Sequence, residues 1–413
     1  MNVGVYNDVD KLERVIVHRP GPELDRLTPA NVHRLLFDDL LWPKQARREH
    51  DQFTKALTDR GIEVLYFNEL LSQVLAVDAA REFVIPLAFR EEVFGPTAAA
   101  MLTEYARGLA PEQLAHLLTA GITRRELEAT VGAVPTTWTT TLEPDDFVVP
   151  CLPNLYFMRD TSTWIHAGVS INPMHMRARR RESVLLEAIY RWHPAFAPHE
   201  FPRWNTVPAS RRATFEGGDI IVPGEGAVFV GISERTTAAG FEQLATSLLQ
   251  GDESIRQVVA VLLDESRESM HLDTVMSMVD NDTFVLYPGL GERTTVTATR
   301  GASTPGEDGF SLRAESHLPG QMRQVLASAV GQSQLNFIAA PTSAHIAEWG
   351  LWNAAFNLLA LAPRVVVAYD RNERMNDFLS DQGVEVVAIP SGELARGHGG
   401  PRCMSCPVYR SAT

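Results

Sequence analysis

The chain has 413 residues, of which 45% are hydrophobic and 21% are charged, and it carries a formal net charge of −14. These values are typical of a globular protein with two or three structural units. The acidic balance disfavours binding to nucleic acid, whose phosphate backbone selects basic surfaces, and it permits a cationic substrate.

The N-terminal residues and the cysteine content indicate the cellular compartment. Residues 1–10 run directly into polar positions and lack the charged-then-apolar pattern of a leader, and no apolar run is long enough to span a membrane. Three cysteines are too few for a disulfide framework and suit a reducing compartment. We therefore expect a cytoplasmic protein with neither a membrane nor a nucleic-acid partner.

The first 70 residues predict one β-α-β module. An apolar run over residues 15–19 stops at Pro20-Gly21-Pro22, which is the pattern of a strand followed by a turn. Apolar residues recur at helical spacing over residues 39–60, and Gly61 ends this helix before a strand over residues 63–67. We assign residues 1–70 to the first part of an α/β domain.

Residues 71–145 have a different pattern. Up to about residue 132 they are rich in alanine, leucine and charged residues, with almost no β-branched runs, which predicts an all-helical insertion. Strand signals then return and alternate with helical patterns, so residues 146–413 are assigned to the remainder of the α/β domain. The predicted strands cover residues 147–149, 163–165, 219–222, 227–230, 258–263, 283–286, 365–368 and 384–389.

Several of these predicted strands end in a short acidic or histidine motif. No fixed repeat period relates the motifs, which excludes a solenoid. Motifs from separate modules that must meet predict modules arranged around a common centre, with the helical insertion outside. A doubly wound sheet is the alternative, since its ligands also gather at strand ends. The motifs are Arg159-Asp160, Glu216-Gly217-Gly218-Asp219, His271-Leu272-Asp273 and the loop that contains Cys403.

The loop over residues 397–407 concentrates glycines, cationic side chains and two of the three cysteines. Its glycines allow the main chain to approach a ligand closely, and we interpret it as a nucleophile loop around Cys403. Neighbouring cations and free backbone N–H groups are expected to lower the pKa of this thiol and favour the nucleophilic thiolate. Cys403 and Cys406 could instead form half of a zinc site or a redox pair. Cys151 is the one other cysteine, however, and the pair does not open a helix after an N-terminal strand.

The remaining motifs supply candidate acid–base and ligand-binding groups. His271 and Asp273 are two residues apart in a predicted extended stretch, so both side chains should project from one face. Glu216 precedes two glycines, and a sharp turn there would hold its carboxylate rigidly. Asp160 follows Arg159 in an aromatic stretch. Each also has a plainer interpretation: a hydrogen-bonded structural histidine, a solvated acid on a turn and a simple salt bridge.

Taken together, these groups suit a planar, delocalised cation. Carboxylates bind a guanidinium group through paired hydrogen bonds, and holding it cationic keeps its central carbon electrophilic. A thiolate can then add to that carbon, and a histidine can deliver a proton to departing ammonia and activate water.

Seven stretches, in order along the chain, resemble the motifs of the arginine deiminase family, which belongs to the guanidino-group-modifying superfamily. The resemblance implies a pseudo-five-fold α/β propeller of ββαβ modules with an all-helical insertion. It also implies hydrolysis of arginine to citrulline and ammonia through a thiouronium intermediate on the cysteine, with no metal and no cofactor. The stretches are Leu35-Leu36-Phe37-Asp38-Asp39-Leu40-Leu41-Trp42, residues 154–160, Ala178-Arg179-Arg180-Arg181-Glu182, Phe215-Glu216-Gly217-Gly218-Asp219, Gly231-Ile232-Ser233-Glu234-Arg235-Thr236, Met270-His271-Leu272-Asp273-Thr274-Val275 and the Cys403 loop.

The matching positions imply a role for each site residue. Cys403 corresponds to the nucleophile, His271 to the acid–base group, Glu216 to its carboxylate partner, and Asp160 and Asp273 to the guanidinium clamps. The substrate-binding positions are Asn154, Phe157, Arg179, Asp219, Arg235 and His398, of which Asn154, Arg179 and Arg235 correspond to residues that hold the amino-acid end of the substrate.

Two departures from the family pattern fall at this amino-acid end. The family loop usually reads R-G-R-G-G before the nucleophile, whereas this chain has His398 at the second arginine. A second segment, usually close to W-D-D-G-N-N, here reads Trp352-Asn353-Ala354-Ala355-Phe356-Asn357. The replacements by Ala354, Ala355 and Phe356 predict a more apolar pocket wall near the α-carbon of the substrate.

Several functions stay open at this point. The leading one is a deiminase of free L-arginine. The alternatives are the same chemistry on a modified arginine or another guanidino compound, amidino transfer to an amine, a catalytically silent binding protein, and a metal-dependent hydrolase. The expected partners are a small guanidino molecule and further copies of the chain, as a homo-oligomer of two or four subunits.

Overall fold

The computed structural model describes residues 1–133, 135–206, 212–301, 310–339 and 343–412. The strands in these ranges are β1 (Lys11–Val17), β2 (Glu63–Tyr66), β3 (Ile122–Thr123), β4 (Phe147–Val149), β5 (Ser162–Ile165), β6 (Gly168–Ile171), β7 (Arg203–Asn205), β8 (Ile220–Gly224), β9 (Ala227–Ile232), β10 (Gln257–Leu262), β11 (Met276–Asp280), β12 (Thr283–Leu286), β13 (Thr295–Arg300), β14 (Leu312–His317), β15 (Asn336–Ile338), β16 (Leu359–Ala362), β17 (Val365–Tyr369), β18 (Glu385–Ile389) and β19 (Cys406–Ser411).

The α-helices in the same ranges vary from four to sixteen residues. They are α1 (Pro43–Thr58), α2 (Phe67–Val74), α3 (Asp78–Ala88), α4 (Glu91–Phe94), α5 (Pro96–Arg107), α6 (Pro111–Ala120), α7 (Arg124–Val131), α8 (Thr137–Thr140), α9 (Arg180–Trp192), α10 (Ala238–Gly251), α11 (Leu272–Val275), α12 (Met322–Ala329), α13 (Ala344–Trp352) and α14 (Glu373–Asp381). In the described ranges, no helix combines the length and apolar composition that crossing a membrane requires.

Five sheets of the described chain share one strand pattern, in which the first strand is antiparallel to the second and the second is parallel to the third. Four of them are β5-β6-β7, β8-β9-β10, β11-β12-β15 and β16-β17-β18. Strands β13 and β14 extend the β8-β9-β10 sheet. In the remaining sheet, β19 from the C-terminal part of the chain takes the first place, antiparallel to β1, and β1 is parallel to β2.

Along the chain, a helix comes between the two parallel strands of each of these sheets. The helices are α1, α9, α10, α12 and α14, in chain order. They are needed because parallel neighbours cannot be joined by a tight turn and require a crossover connection. The predicted mixed α/β class is confirmed. The alternative of one doubly wound sheet is wrong, since the described strands are divided among separate sheets of at most five strands.

The predicted motifs lie at the beginnings of strands, whereas the sequence placed them at strand ends. Asp160 comes just before β5, Asp219 just before β8 and Cys403 just before β19. The first strand of each sheet pairs with the second only and runs opposite to the parallel pair, so its beginning lies at the same edge of the sheet as the carboxyl ends of that pair. The motifs therefore occupy the sheet edge at which ligands gather in α/β proteins.

Helices α2 to α8 fill most of the chain between β2 and β4, and their apolar faces share a continuous core with α9. The expectation of an all-helical segment is wrong in one detail, because β3 pairs with β4 through Ile122 and Val149. Gly121 has φ +70° and turns the chain into this pairing. A Cβ at Gly121 would collide with the backbone of residues 149–151. The domain boundaries at residues 70 and 145 stay a prediction.

Candidate active site

One pocket gathers eight of the eleven predicted site residues. It lies at the sheet edge that carries the motifs. Its walls come from the loops that precede β5, β11 and β19, from the turn before α9, and from the loops that contain Leu36 and Arg235. Glu216, Asp219 and Asp273 lie behind these walls, each fully buried. The lining residues are Leu36, Asn154, Phe157, Asp160, Arg179, Arg235, Arg267, Met270, His271, Gly397, His398, Gly399 and Cys403.

The Cys403 thiol lies beside carboxylates. Its Sγ is 3.9 Å from Asp273 Oδ1 and 3.7 Å from Asp273 Oδ2. Burial raises the pKa of the thiol well above its usual value, and the nearby Asp273 and Asp160 raise it further. The expectation of a lowered thiol pKa is therefore wrong for the free protein, because the cationic Arg402 does not outweigh burial and two negative charges.

His271 is held between two carboxylates. Its Nε2 lies 2.9 Å from Glu216 Oε2, and its Nδ1 lies 3.7 Å from Asp160 Oδ1. Burial alone would lower the pKa of His271, but the Asp160 charge and the Glu216 hydrogen bond outweigh it and raise the pKa to about 9. The imidazole is therefore protonated at neutral pH and can act as a general acid.

Asp273 and Cys403 are positioned by two residues that the sequence did not assign to the site. Arg402 Nη1 donates to Asp273 Oδ2 at 2.7 Å, and its Nη2 donates to Asp8 at 2.8 Å. The Asn357 amide donates to the Asp273 carbonyl and accepts from the backbone N–H of Cys403, each at 3.0 Å. The sequence carried one signal for each of these two residues. Arg402 directly precedes Cys403, and Asn357 is the last residue of the altered segment that begins at Trp352.

Asp219, which the resemblance gives as a substrate-binding residue, is buried behind the pocket and does not line it. Its carboxylate accepts hydrogen bonds from the Ser233 and Thr236 hydroxyls at 2.7 and 2.5 Å and from Leu272 N–H at 2.8 Å. These contacts fix the backbone between His271 and Asp273 and favour a positioning role, so a substrate-binding role stays a prediction. The stretch it holds is also not extended as predicted, because α11 begins at Leu272.

Three predicted residues of the amino-acid end make contacts within the protein. Arg179 forms an ion pair with Asp160, and its Nη2 donates to the Phe157 carbonyl at 2.9 Å. Arg235 Nη1 lies 3.6 Å from Glu216 Oε2. The Asn154 amide donates to the Leu35 carbonyl at 2.7 Å.

His398 belongs to a cluster with Asp38 and Arg267. The Asp38 Oδ2 atom lies 2.6 Å from His398 Nε2 and 2.7 Å from Arg267 Nη2. Burial lowers the pKa of His398 despite the Asp38 charge, so the ring is neutral at pH 7. Arg267 was missed, because nothing in its surrounding sequence distinguishes it from an ordinary surface arginine.

The expectation of a more apolar pocket wall is wrong for Phe356. Its ring is buried in a core cluster, with its centroid 5.5 Å from that of Tyr287. Ala355 belongs to the same cluster. Ala354 alone of the three replacements lies near the site, in a small neighbouring pocket with His398 and Trp352.

The second cysteine of the loop faces away from the pocket. All three cysteines are free thiols. Cys406 lies in β19, and its Sγ is 3.4 Å from the Ser162 carbonyl and 3.9 Å from the Tyr190 hydroxyl. The contacts of Cys406 therefore favour neither a redox pair with Cys403 nor a zinc half-site.

Three side chains of the site could together approach a metal ion. Potential ligand atoms of Asp160, Glu216 and His271 lie within 4.8 Å of one another. A ring nitrogen must lose its proton to bind a metal, and the raised pKa of His271 opposes this. The hydrogen bond to Glu216 favours an acid–base function for the histidine.

Known structures with the same fold cover nearly the whole of this chain. SxtG, an amidinotransferase from Microseira wollei in the saxitoxin biosynthetic pathway, matches at 15% identity and a TM-score of 0.54, over 100% of this chain and 98% of that chain. The N-terminal domain of ArgZ, an arginine dihydrolase from the ornithine-ammonia cycle in cyanobacteria, matches at 12% identity and a TM-score of 0.54, over 97% of this chain and 98% of that chain. Unliganded AgrE matches at 13% identity and a TM-score of 0.54, over 97% of this chain and 40% of that chain.

At these identities, likeness between structures shows the fold alone. The family is shown by sequence: the family model described as arginine deiminase matches residues 33–410, which is most of the chain. The matched range contains every residue of the pocket described above. The chain therefore belongs to the arginine deiminase family.

Proposed function

We propose that the protein hydrolyses the guanidinium group of L-arginine to citrulline and ammonia through a covalent thiouronium intermediate on Cys403. The observation that carries the proposal is the single pocket in which the Cys403 thiol, the His271 imidazole and the Asp160 carboxylate meet, with Asp273 behind the thiol. Membership of the family supports guanidino-group chemistry in general.

The carboxylates can bind the guanidinium beside the thiol. Asp160 Oδ1 is buried and has no hydrogen-bond partner among the described residues, so it can accept from a guanidinium N–H. Both Asp273 oxygens lie within 3.9 Å of Cys403 Sγ. A guanidinium bound to Asp273 would therefore place its central carbon next to the sulfur.

Binding of the substrate would also activate the nucleophile. Asp273 and Asp160 help to raise the pKa of the Cys403 thiol in the free protein. A guanidinium between these carboxylates compensates their charge and lowers that pKa. We infer that Cys403 releases its proton to solvent when the substrate binds and is largely a thiol before that.

The protonated His271 supplies the next proton. After the thiolate adds to the guanidinium carbon, His271 protonates one terminal nitrogen, and that C–N bond breaks to release ammonia. The neutral ring then takes a proton from water, whose oxygen attacks the same carbon. The C–S bond breaks and returns the Cys403 sulfur as a thiolate, and the new hydroxyl releases its remaining proton to solvent, which leaves citrulline. Glu216 stabilises the charged ring through the hydrogen bond of 2.9 Å.

A second candidate is the same chemistry on a guanidino compound with an altered α-end, or amidino transfer to an amine in place of water. The neutral His398 favours it, because an arginine at this position in the family pattern would offer a charged fork of donors to a carboxylate. Three guanidinium groups still line the pocket, which supports a substrate of either kind that carries an acidic group. They belong to Arg179, Arg235 and Arg267.

The proposal extends to the architecture, the cellular location and the assembly of the protein. The five sheets of similar topology support a pseudo-five-fold propeller with residues 71–145 outside it. Cytoplasmic location and assembly into a dimer or tetramer also belong to the proposal, and light scattering of the purified protein would test the assembly.

The proposal is tested with a panel of guanidino compounds scored for ammonia and for a ureido product. We expect L-arginine to give both products in equal amounts with the wild-type protein and neither product with Cys403→Ser. Products from a modified guanidine alone would favour the second candidate. Consumption of a guanidine without ammonia, but only when an amine is present, would replace hydrolysis by amidino transfer.

A further inference from the structure

A large cavity lies between the helical segment and the sheets, next to the proposed active site but distinct from it. Its volume is about 750 Å³, which is within the range of small-molecule sites. None of its lining residues also lines the pocket of Cys403. The wall is formed by α3, α4, α8, β4 and α9, together with the turns that contain Arg34 and Arg177.

One part of this cavity is apolar and aromatic. The Phe94 and Trp138 rings meet edge to face with their centroids 5.6 Å apart. Leu87, Leu142 and Val184 extend the apolar surface. When a hydrocarbon chain or an aromatic ring packs on such a wall, water leaves both apolar surfaces, and this favours binding.

The other part is cationic, although the protein as a whole carries a net charge of −14. The lining contains five arginines against two carboxylates, Glu92 and Asp146. Glu92 is paired with Arg90 at 2.9 Å. Among the residues that the structure describes, Arg34 and Arg177 make no ion pair and are exposed to the cavity mouth. The arginines are Arg34, Arg90, Arg177, Arg180 and Arg181.

Arg181 is less exposed, and it makes no ion pair with a carboxylate of the described chain, although the Glu182 charge acts on it at longer range. Its Nε donates to the Leu118 carbonyl at 3.0 Å, and its Nη2 donates to the Pro150 carbonyl. Burial lowers the pKa of Arg181 to about 10, so the group is charged but poorly solvated at pH 7. A partly buried cation that is satisfied only by carbonyls is stabilised when an anion approaches it.

We propose that this cavity binds an organic anion with an apolar body, such as an alkyl or aryl carboxylate or phosphate. The apolar body would pack on Phe94 and Trp138, and the anionic group would pair with Arg177, Arg34 and Arg181. This site is independent of the proposed arginine hydrolysis, because it shares no side chain with that chemistry.

The test uses octanoate as the probe, with octanol as a neutral analogue, octylammonium as a cationic one and octyl phosphate as the alternative anion. Isothermal titration calorimetry on the full chain should show octanoate or octyl phosphate binding at least about tenfold more tightly than octanol. The ratio between the two anions identifies the preferred head group. Equal binding of octanol and both anions, or no binding of either anion at millimolar concentration, would overturn the proposal.

Variants assign the binding to this cavity. The double variant Arg34→Gln with Arg177→Gln should lose about tenfold or more in affinity for the anion while keeping its affinity for octanol. Arg313→Gln combined with Arg323→Gln, which removes the same two charges from exposed side chains outside the cavity, should bind the anion as the wild type does. Unchanged anion binding by the double variant would place the site elsewhere.

The salt dependence of binding to the wild type tests the proposal even if a variant fails to fold. Raising the salt concentration should weaken binding of the anion and leave that of octanol unchanged, since salt screens charge pairing and not apolar contact. An anion affinity that does not respond to salt would contradict the role of the arginines.

Discussion

His271 Nε2 lies 2.9 Å from Glu216 Oε2, and both side chains are buried. The pKa of His271 is raised to about 9 from an ordinary value of 6.5, so between these pH values the native protein holds a proton that the unfolded chain has released. The stabilisation is fully present below pH 6.5 and is lost as the pH rises through about 9.

We therefore expect the wild-type protein to lose of the order of a few kcal/mol of unfolding free energy between pH 6.5 and 9.5. His271→Gln should lose much less over the same interval, and Glu216→Gln should also flatten the profile, because it removes the partner. Urea unfolding followed by circular dichroism at the two pH values measures this. Parallel pH profiles for the wild type and His271→Gln would show that the pKa is not raised.

The two cysteines of the loop should respond differently to replacement. Cys403→Ser should have no measurable activity, because a serine hydroxyl has far too high a pKa to replace the thiolate. Cys406→Ser should keep most of its activity, since Cys406 contacts Ser162 and Tyr190 and does not line the pocket. Mass spectrometry after trapping with a slow substrate should find the adduct on Cys403, and a label on Cys406 would reverse the assignment.

Gly218→Ala should damage catalysis while the fold stays intact. A Cβ at this position would lie 2.5 Å from His271 Nδ1 and 3.0 Å from Asp160 Oδ1, so the imidazole must move. A displacement of about 1 Å in such a site can cost about a hundredfold in rate, which should appear in kcat/KM. Gly320→Ala is the matched control, because a Cβ there meets nothing within 4 Å. Full activity of Gly218→Ala would show that His271 is not held where the structure places it.

His398→Arg should improve the binding of free arginine. An added charge-assisted hydrogen bond to the substrate carboxylate is worth roughly 1.5–3 kcal/mol, or about tenfold or more in KM. Asp38 could capture the new guanidinium, since it already contacts His398 and Arg267, so the substitution is also made together with Asp38→Asn. The wild type and both variants are compared on arginine and on carboxyl- or amine-modified arginines.

One outcome would end the idea of an altered substrate. In that outcome, the wild-type protein prefers free arginine to every modified guanidine and has a KM for arginine in the usual range of about 1 μM to 1 mM. If His398→Arg then brings no improvement, neighbouring residues such as Arg267 compensate for the missing arginine.

Metal removal should leave the reaction rate unchanged. Asp160, Glu216 and His271 are close enough to share an ion, but the proton that His271 holds must leave before a metal can bind there. Exhaustive dialysis against chelators, followed by elemental analysis and an activity assay, tests this. Activity that is lost on chelation and returns only with added zinc or another divalent ion would contradict the thiol mechanism.

The sequence predicted well those strands that are short apolar runs between turns. The prediction over residues 283–286 coincides with β12, and those over residues 227–230 and 258–263 differ from β9 and β10 by one or two residues at their ends. Strand β14 was missed because most of its side chains are exposed, and a strand on a sheet edge needs no apolar alternation. Helix α1 begins at Pro43, later than predicted, because proline suits the first turn of a helix.

The site residues could be found from the sequence because their types and local spacing carry the chemistry. Their surroundings could not, because they depend on contacts between distant parts of the chain. The ion pair of Arg402 with Asp8 and that of Arg267 with Asp38 join segments far apart in sequence, and no local pattern indicates either. The raised pKa of the Cys403 thiol was missed for the same reason, since burial follows from the complete fold.

The pairing of β1 with β19 has a consequence for how the protein is made. Translation delivers β1 long before β19, so on the ribosome β1 has one open edge until residues 406–411 emerge. The Cys403 loop precedes β19 directly and cannot be anchored earlier. A chain that stalls before this point already contains Asp160, Glu216 and Asp273 but has no placed thiol, so nascent chains should be inert until residues 406–411 have left the ribosome.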